Sequence, residues 1–561
     1  MSTMIDFASI SDVELAIDTL CAMDPSLPAD IRFNAVYAGS TLQKQIRRAE
    51  LFSVVKDYAS DRSASVDSVA LGFAHCLSLK KWQLPNIDSS FEKPNACLGF
   101  VERNSTVGDR NVIDHITRKY MRDLLARWLP PVDVTPLPRL GPGAVAEKYD
   151  FVAKRRKLSS FACWYWTDCP ANYYLTMTTL SRLGLHDCVR DNHVARLCAV
   201  PKDWDKDRLI TVEPYNNTLL QQAARSYIWT SFLAGNFIPR QPRYLRRTWY
   251  HFWERMPEMQ RARAIRGSLD SVSATLDLKD ASDRIPYDLV ADVMPGHIMA
   301  WLDVSRTPYF QYRFGGTVRT VPLLIYGGMG NATTFLVETL LFLAFVEAVK
   351  ARKGGRFAPT TVFGDDIICD SRLVDDLMRL GGNFFFLNTL KSFTGDHPCR
   401  ESCGVLAFNG QDITPIRYRG YLPTSWDGRV ALADCVSRML AAPVRCMRAW
   451  GFELALSALK QGILNNHEFL VPGTPAISYC GLDYDPQELR WNRNLQRQEV
   501  RYYKRVPKVR RLNPDRQWCL DGWFIGAVST DSASAESSDR YCRVPLRGTR
   551  LVSGWFPASR A

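Results

Sequence analysis

The 561-residue sequence lacks a C-x-x-C pair among its fifteen cysteines, and its eight histidines are scattered. The closest cysteine pairs, Cys399/Cys403 and Cys163/Cys169, do not match common zinc spacings, which excludes a finger or ribbon module. An odd number of unclustered cysteines in a long chain points instead to free thiols in a reducing compartment. Long apolar runs are also missing. The richest stretch, Phe335 to Val349, carries Glu338 and Glu347 and is too short to cross a bilayer. The opening Met-Ser-Thr-Met-Ile-Asp-Phe has no basic and apolar leader pattern, so no signal peptide is expected and the chain reads as soluble and intracellular. Its 33 glycines and 31 prolines follow no period, which removes collagen-like and low-complexity classes, and no repeat of 20–50 residues is visible.

What remains is a globular composition, 46% hydrophobic and 23% charged, long enough for several domains or one multi-lobed fold. Lys and Arg number 71 against 58 Asp and Glu, a net charge of +13, which favours a polyanionic partner. The surplus is uneven. Eight arginines (240, 243, 246, 247, 255, 261, 263, 266) interleave with Tyr244, Trp249, Tyr250 and Trp253, a combination suited to a phosphate backbone with unpaired bases. A second block, Arg490 to Arg511, has nine basic residues and one acid, Glu499. Lys154 to Lys157 is a short basic run before the aromatic cluster Trp164-Tyr165-Trp166, and Ser529 to Asp539 reads as a surface loop or linker.

Chemistry concentrates in the middle of the chain. Thr361 to Cys369 reads as strand, tight turn, strand, with Gly364 at the tip of a hairpin that presents Asp365 and Asp366. Upstream, Ser273 to Asp277 has a strand pattern that breaks at Asp277, and Ala281-Ser282-Asp283 reads as the start of a helix with Pro286 in an early turn. If the two strands are neighbours in one antiparallel sheet, three carboxylates converge. Such a group requires a cation, and oxygen ligands without nearby His or Cys favour magnesium, with manganese as substitute. Between these segments, Tyr326 to Phe335 is a Gly-rich loop opening an apolar helix through Val349; Asn331 and Thr334 offer groups able to feel a ribose 2′-hydroxyl. Farther upstream, Lys202, Lys206 and Arg208 could grip a triphosphate, although Asp203, Asp205 and Asp207 alternate with them.

In this order the pieces resemble the RNA-dependent RNA polymerases of positive-strand RNA viruses, and most closely the replicase catalytic subunit of RNA bacteriophages, the levivirus type. Ala274 to Asp283 looks like that family's motif A. Met329-Gly330-Asn331-x-x-Thr334-Phe335 with Glu338 looks like motif B, and Phe363 to Ile368 like motif C. Val200-Pro201-Lys202, Asp207-Arg208 and Glu213-Pro214 resemble the basic finger motif F, while Asn388 to Phe393 and Arg400 to Gly404 resemble motifs D and E. The blocks span residues 200–404. Lys279-Asp280 departs from the small residues common in motif A, Phe363 stands where Tyr is frequent, and Gly328 where Ser is usual.

The resemblance implies an α+β, right-hand polymerase of fingers, palm and thumb, with an antiparallel palm sheet flanked by helices. Residues 1–190 would be an N-terminal region with part of the fingers, 191–265 fingers, 266–425 palm, and 426–561 thumb and C-terminal region. Asp277, Asp365 and Asp366 would be metal ligands, and Lys391 the general acid for pyrophosphate. Lys202, Lys206 and Arg208 would hold the incoming triphosphate, and Ser282 or Asp283 with Asn331 would sense the 2′-hydroxyl. The implied activity is RNA-templated RNA synthesis from ribonucleoside triphosphates in the cytoplasm of an infected bacterium, by two-metal nucleotidyl transfer. The family's habit adds host elongation factors Tu and Ts and a ribosomal protein as partners, without a membrane. Two alternatives share the scaffold: a reverse transcriptase, against which the Gly-Asp-Asp and Gly-Asn-x-x-Thr pairing argues, and a catalytically inactive RNA-binding protein, against which the retained acids argue.

Overall fold

The computed structural model describes residues 52–78, 96–107, 113–134, 144–147, 194–201, 207–235, 252–416, 426–463, 478–479, 489–492, 497–511 and 543–557. The expectations for Lys154 to Lys157, Trp164 to Trp166, Lys202, Lys206, residues 240–250 and Ser529 to Asp539 lie outside the described residues.

Helices and small, mainly antiparallel sheets alternate along the chain, an α+β architecture. Helices α1 (52–58), α2 (Val66–Ser78), α3 (Ala96–Thr106) and α4 (His115–Trp128) precede strands β1 (Val194–Pro201) and β2 (Asp207–Val212). Then come α5 (Tyr215–Ala234), α6 (Phe252–Asp270), β3 (Ser273–Asp277), α7 (Tyr287–Val293) and α8 (Gly296–Ser305). The hairpin β4 (Tyr309–Phe314) and β5 (Thr317–Pro322) joins β1 and β2 in a sheet ordered β2-β1-β4-β5, in which only the β1/β4 pair is parallel. Helix α9 (Thr334–Lys353) leads into β6 (Thr361–Phe363), β7 (Asp366–Asp370) and α10 (Val374–Gly381), and β8 (Cys399–Ser402), β9 (Val405–Phe408) and β10 (Gln411–Asp412) form a three-stranded sheet. Helices α11 (Trp426–Leu440) and α12 (Arg445–Lys460) pair with each other. Strands β11 (Ser478–Tyr479), β12 (Leu489–Asn492), β13 (Arg497–Arg511) and β14 (Arg543–Pro557) make the last sheet, which takes up the second basic block.

The sheet that matters for function has the order β3-β7-β6. Its strands are short and almost wholly apolar between their polar ends: Ala274 to Leu276 and Ile367 to Cys369 are buried on both faces, so the pattern is continuous rather than alternating. Helix α9 supplies much of that cover. From Leu336 to Val349 nearly every residue is buried, as in a helix apolar all round. Phe342 and Phe345 pack tilted and edge-on against Phe384 and Phe385, and Met121, Leu125 and Trp128 of α4 complete the same core.

One local expectation needs correction. Ser282 to Arg284 is a single tight 3-10 turn, and the helix starts only at Tyr287, after Pro286. The ring of Pro286 disfavours helical backbone at the residue before it, and Ile285 is accordingly extended (φ −91°, ψ 104°). Among the described residues, no helix is long and apolar enough to cross a membrane.

Candidate active site

The β6–β7 hairpin turns through Gly364, whose φ of +65° suits a residue without Cβ. A Cβ there would also lie 2.4 Å from Cε2 of Phe335, the first apolar residue of α9. Phe335 packs edge-on against Phe363 (centroids 4.8 Å), so the ring in the place of the usual Tyr is held by an apolar contact. The Gly364 amide donates to Thr339 Oγ1 at 2.9 Å. These contacts fix a tip on which Asp365 is exposed.

Antiparallel pairing sets Asp277 directly opposite Asp366. Opposed residues share a face of the sheet, so two carboxylates stand side by side. Asp366 Oδ1 accepts from the Cys403 amide at 3.1 Å, which ties it to the turn between β8 and β9. Burial, together with the charges of Asp365 and Asp277, nevertheless pushes its carboxyl up to about 6. Glu338, buried one turn into α9, is raised well above the usual range by burial and by the carboxylates of Asp365 and Asp283.

The other edge of β3 is bordered by the segment 386–393. Lys279 and Asn388 amides donate to Phe386 and Asp277 carbonyls, and Thr275 and Phe393 exchange both backbone bonds at 2.9 Å. Side chains reinforce this border. Asn388 Nδ2 donates to Asp277 Oδ2 at 2.7 Å, and the Asp277 amide donates to Ser392 Oγ at 3.0 Å. Half-buried Lys391 rides on this loop, its amide donating to the Asn388 carbonyl at 3.1 Å. Asn388 belongs to a segment whose resemblance is legible, but nothing local reveals that its amide orients Asp277.

The ribose-sensing candidates are more enclosed than their motif suggests. Asn331 is buried, and its Oδ1 accepts from the Thr333 amide and hydroxyl, a local turn opening α9. Thr334 Oγ1 donates to the Gly328 carbonyl at 3.2 Å. The glycines of this loop permit close approach to β2: a Cβ on Gly330 would meet the Thr211 carbonyl at 1.8 Å, and one on Gly328 the Thr211 side chain at 2.4 Å. Thr211 therefore occupies the space a serine at 328 would need. Ser282 is buried, and Asp283, also buried, is paired with Arg103 of α3, Nη2 to Oδ2 at 2.8 Å and Nε at 3.2 Å. Burial raises the Asp283 carboxyl while Arg103 opposes the shift. Arg103 lies in a stretch without recognisable motifs, 180 residues away in sequence.

Of the basic residues, Arg208 is exposed on β2 opposite Val200, while Lys202 and Lys206 lie outside the described residues. Glu213, at the end of the same segment, is buried and held by the Thr307 hydroxyl and by Gln221 Nε2 at 3.1 Å; burial pushes its carboxyl upward. Gln221 Oε1 in turn accepts from the Ala332 amide, which links this network to the Gly-rich loop. Residues 255, 261, 263 and 266 fall on α6. Arg263 is not aimed at a phosphate backbone: it donates to Thr361 Oγ1 at 2.8 Å and to the Pro359 carbonyl at 2.5 Å, and Arg261 donates to the Cys403 carbonyl. A run of arginines does not say what each one faces, and two of these brace the β6–β7 hairpin and its neighbour. Arg490 of the second block pairs with Glu499.

Among the described residues no three His, Cys, Asp or Glu side chains form a metal cage by themselves. The donor chemistry nevertheless fits a hard divalent cation. Asp366 and Asp277 stand opposite each other at one sheet end beside Asp365, and the charges of Asp365 and Asp277 add to the burial that raises Asp366. The three carboxylates offer hard oxygen donors; contrary to the expectation of no nearby Cys, the Cys403 thiol also lies against Asp366. Magnesium is characteristically held by one or two carboxylates plus substrate phosphates, not by an all-protein cage.

Residues 172–427 match the family model described as RNA replicase, beta-chain. The RNA-directed RNA polymerase beta chain of Escherichia phage MS2 is 29% identical over 254 residues, covering 45% of this chain and 40% of that one. The RNA-directed RNA polymerase subunit beta of Escherichia virus Qbeta is 31% identical over 246 residues, 42% of this chain and 38% of its own. The chain thus spans about 40% of the length of the curated relatives it matches. A solved structure, the RNA-dependent RNA polymerase of a human picorbirnavirus, is a distant likeness: TM-score 0.39 and 13% identity, over 65% of this chain and 76% of that one. Over residues 172–427, therefore, the resemblance to the replicase beta chains of RNA phages is borne out.

Proposed function

We propose that this chain is an RNA-directed RNA polymerase that replicates a single-stranded RNA phage genome, with the β3-β7-β6 sheet as the palm of a right-hand fold. The observation that carries the reading is the register of that sheet: it sets Asp277 opposite Asp366 beside an exposed Asp365, within the segment matching the replicase family.

Asp277 and Asp365, with Asp366, would hold magnesium or manganese. When bound, a pair of such ions supplies Lewis acidity to the transferred phosphoryl group and its attacking and leaving oxygens. In the reaction the 3′-hydroxyl of the growing RNA attacks the α-phosphate in line. A new oxygen–phosphorus bond forms, the bond to the β-phosphate oxygen breaks, and pyrophosphate leaves. The hydroxyl proton passes to solvent, and Lys391 returns one to the departing pyrophosphate. Arg208, with Lys202 and Lys206, neutralises the triphosphate. Asp283, aimed by Arg103, recognises the 2′-hydroxyl beside Ser282 and the Asn331–Thr334 loop. RNA template and product, ribonucleoside triphosphates, elongation factors Tu and Ts and a ribosomal protein are the partners, in the cytoplasm of the infected bacterium.

The test is template-dependent incorporation by the purified chain, with ribo- or deoxyribonucleotides and with or without host extract. Wild type should extend RNA with ribonucleotides. Asp365→Asn should lose at least about 1,000-fold in turnover while unfolding at an unchanged temperature. Preferential deoxyribonucleotide use would establish the reverse transcriptase instead. RNA binding without incorporation under every condition would establish the inactive scaffold.

A further inference from the structure

The loop carrying Lys391 is gripped by a residue from far outside the recognisable motifs. Lys56, on α1, directs its ammonium onto three backbone carbonyls of that loop: Ser392 at 2.6 Å, Thr389 at 2.7 Å and Leu390 at 3.4 Å. An ammonium has three protons, and each finds an acceptor. The same nitrogen lies 4.8 Å from the ring centre of Phe393. The grip is anchored at its base. The Lys56 carbonyl accepts from His397 Nε2 at 3.0 Å, and Val55 and Ala59 are buried against a core that includes Phe73, Phe393, Cys399 and Phe408. Phe73 in turn meets Phe393 edge-on.

The acceptors bracket Lys391 on both sides. They belong to the border segment that sends Asn388 Nδ2 to Asp277 and offers Ser392 Oγ to the Asp277 amide. This segment pairs with β3 only through isolated bridges, Thr275 with Phe393 and Leu278 with Leu387, so no continuous ladder sets its position. A charged side chain that collects carbonyls from successive residues forces them to converge, which fixes the loop's curvature.

We propose that Lys56 is a positioning residue for the 388–393 loop, and that through it α1 sets where the Lys391 ammonium stands relative to Asp277. Naming Lys391 as the group positioned rests on the polymerase reading; the clamp itself does not.

Two measurements on the full chain separate these parts. Hydrogen exchange of the Lys391, Ser392 and Phe393 amides reads the clamp directly, because all three are bonded in the native state to Asn388 or Thr275 carbonyls. Lys56→Met should speed their exchange by about 10-fold or more. Unchanged exchange would overturn the clamp, whatever the activity. Steady-state and single-turnover kinetics then read the coupling. Lys56→Met should lower kcat by about 10-fold with KM within about twofold, and Lys56→Met/Lys391→Ala should be no slower than Lys391→Ala alone. Additive losses in the double variant would refute positioning of Lys391 and leave a merely structural lysine. Should Lys391→Ala alone be fully active, the role of Lys391 fails while the exchange result still judges the clamp. Lys56→Gln, uncharged but still a donor, is the milder variant if Lys56→Met does not fold: its exchange should rise in the same direction, and wild-type exchange would again overturn the clamp.

Discussion

The two edges of β3 are built by different physics. Toward β7 the pairing is an unbroken ladder, Ser273 with Asp370 through Asp277 with Asp366, and the register alone determines which carboxylates face each other. Toward the 386–393 segment there are only isolated bridges, and side chains do what a ladder would otherwise do: Lys56 and Asn388 near the carboxylates, and fully buried Arg400 at the other end, its guanidinium reaching the Ser273, Gly395, His397 and Cys399 carbonyls. A ladder moves as a unit or not at all. A clamped border can adjust bond by bond, at a local opening free energy well below that of global unfolding. The chemistry proposed for each edge matches. Metal-holding carboxylates would be served by the rigid side, and a lysine proposed to protonate a leaving group by the adjustable one.

The largest expected effect comes from breaking the ladder side at its tip. Gly364→Ala places a side chain at φ +65° and against the Phe335 ring. Strain and overlap together should cost about 2–4 kcal/mol in denaturant unfolding and displace Asp365, lowering turnover by about 100-fold or more. Wild-type stability and turnover would show that the tip has slack and that the comparison between edges is wrong.

On the clamped side, Asn388→Ala removes a single donor from Asp277 while the ladder to β7 remains. A hydrogen bond to a charged acceptor contributes about 1.5–3 kcal/mol, so kcat/KM should fall about 10- to 100-fold with little change in melting temperature. An unaffected kcat/KM would mean that the ladder alone orients Asp277 and that the clamped edge serves only Lys391.

This contrast also explains what could be read from residues alone. The hairpin was legible because two apolar runs flank a Gly, and Asp277 because its strand pattern stops there; both are local and periodic signals. The apolar helix after Thr334 was legible for the same reason. The side-chain clamps were not. Lys56 meets its acceptors more than 330 residues away and Arg103 meets Asp283 at 180, and no local pattern marks either partner. Local contacts of polar residues were no more legible. Arg263 reads as part of a basic stripe, and the structure shows it holding Thr361 and the Pro359 carbonyl; Asn331 reads as an amide facing a ribose, and the structure adds that its Oδ1 closes its own turn. Strand register follows from apolar pattern, whereas the destination of a long polar side chain is a property of the assembled fold.

The smallest effect tests the base of the clamp by pH. His397 donates from Nε2 to the Lys56 carbonyl and accepts at Nδ1 from the Cys399 amide at 3.0 Å, an arrangement only the neutral ring can make. Burial, with Lys56 and Arg400 close by, lowers its pKa from 6.5 to about 4. The unfolded ring therefore binds a proton between those values while the folded ring does not. The stability contributed by neutral His397 is complete above about pH 6.5, declines as pH falls through that window, and is gone below about pH 4. Partial exposure reduces the full linkage value to about 1–2 kcal/mol. Urea unfolding of wild type and His397→Gln from pH 7.5 to 4 isolates it, because carboxylates elsewhere contribute equally to both. The variant should show the shallower acid loss, and the Lys391, Ser392 and Phe393 amides of wild type should lose protection over the same interval. Parallel stability curves would place the pH sensitivity elsewhere than the base of the clamp.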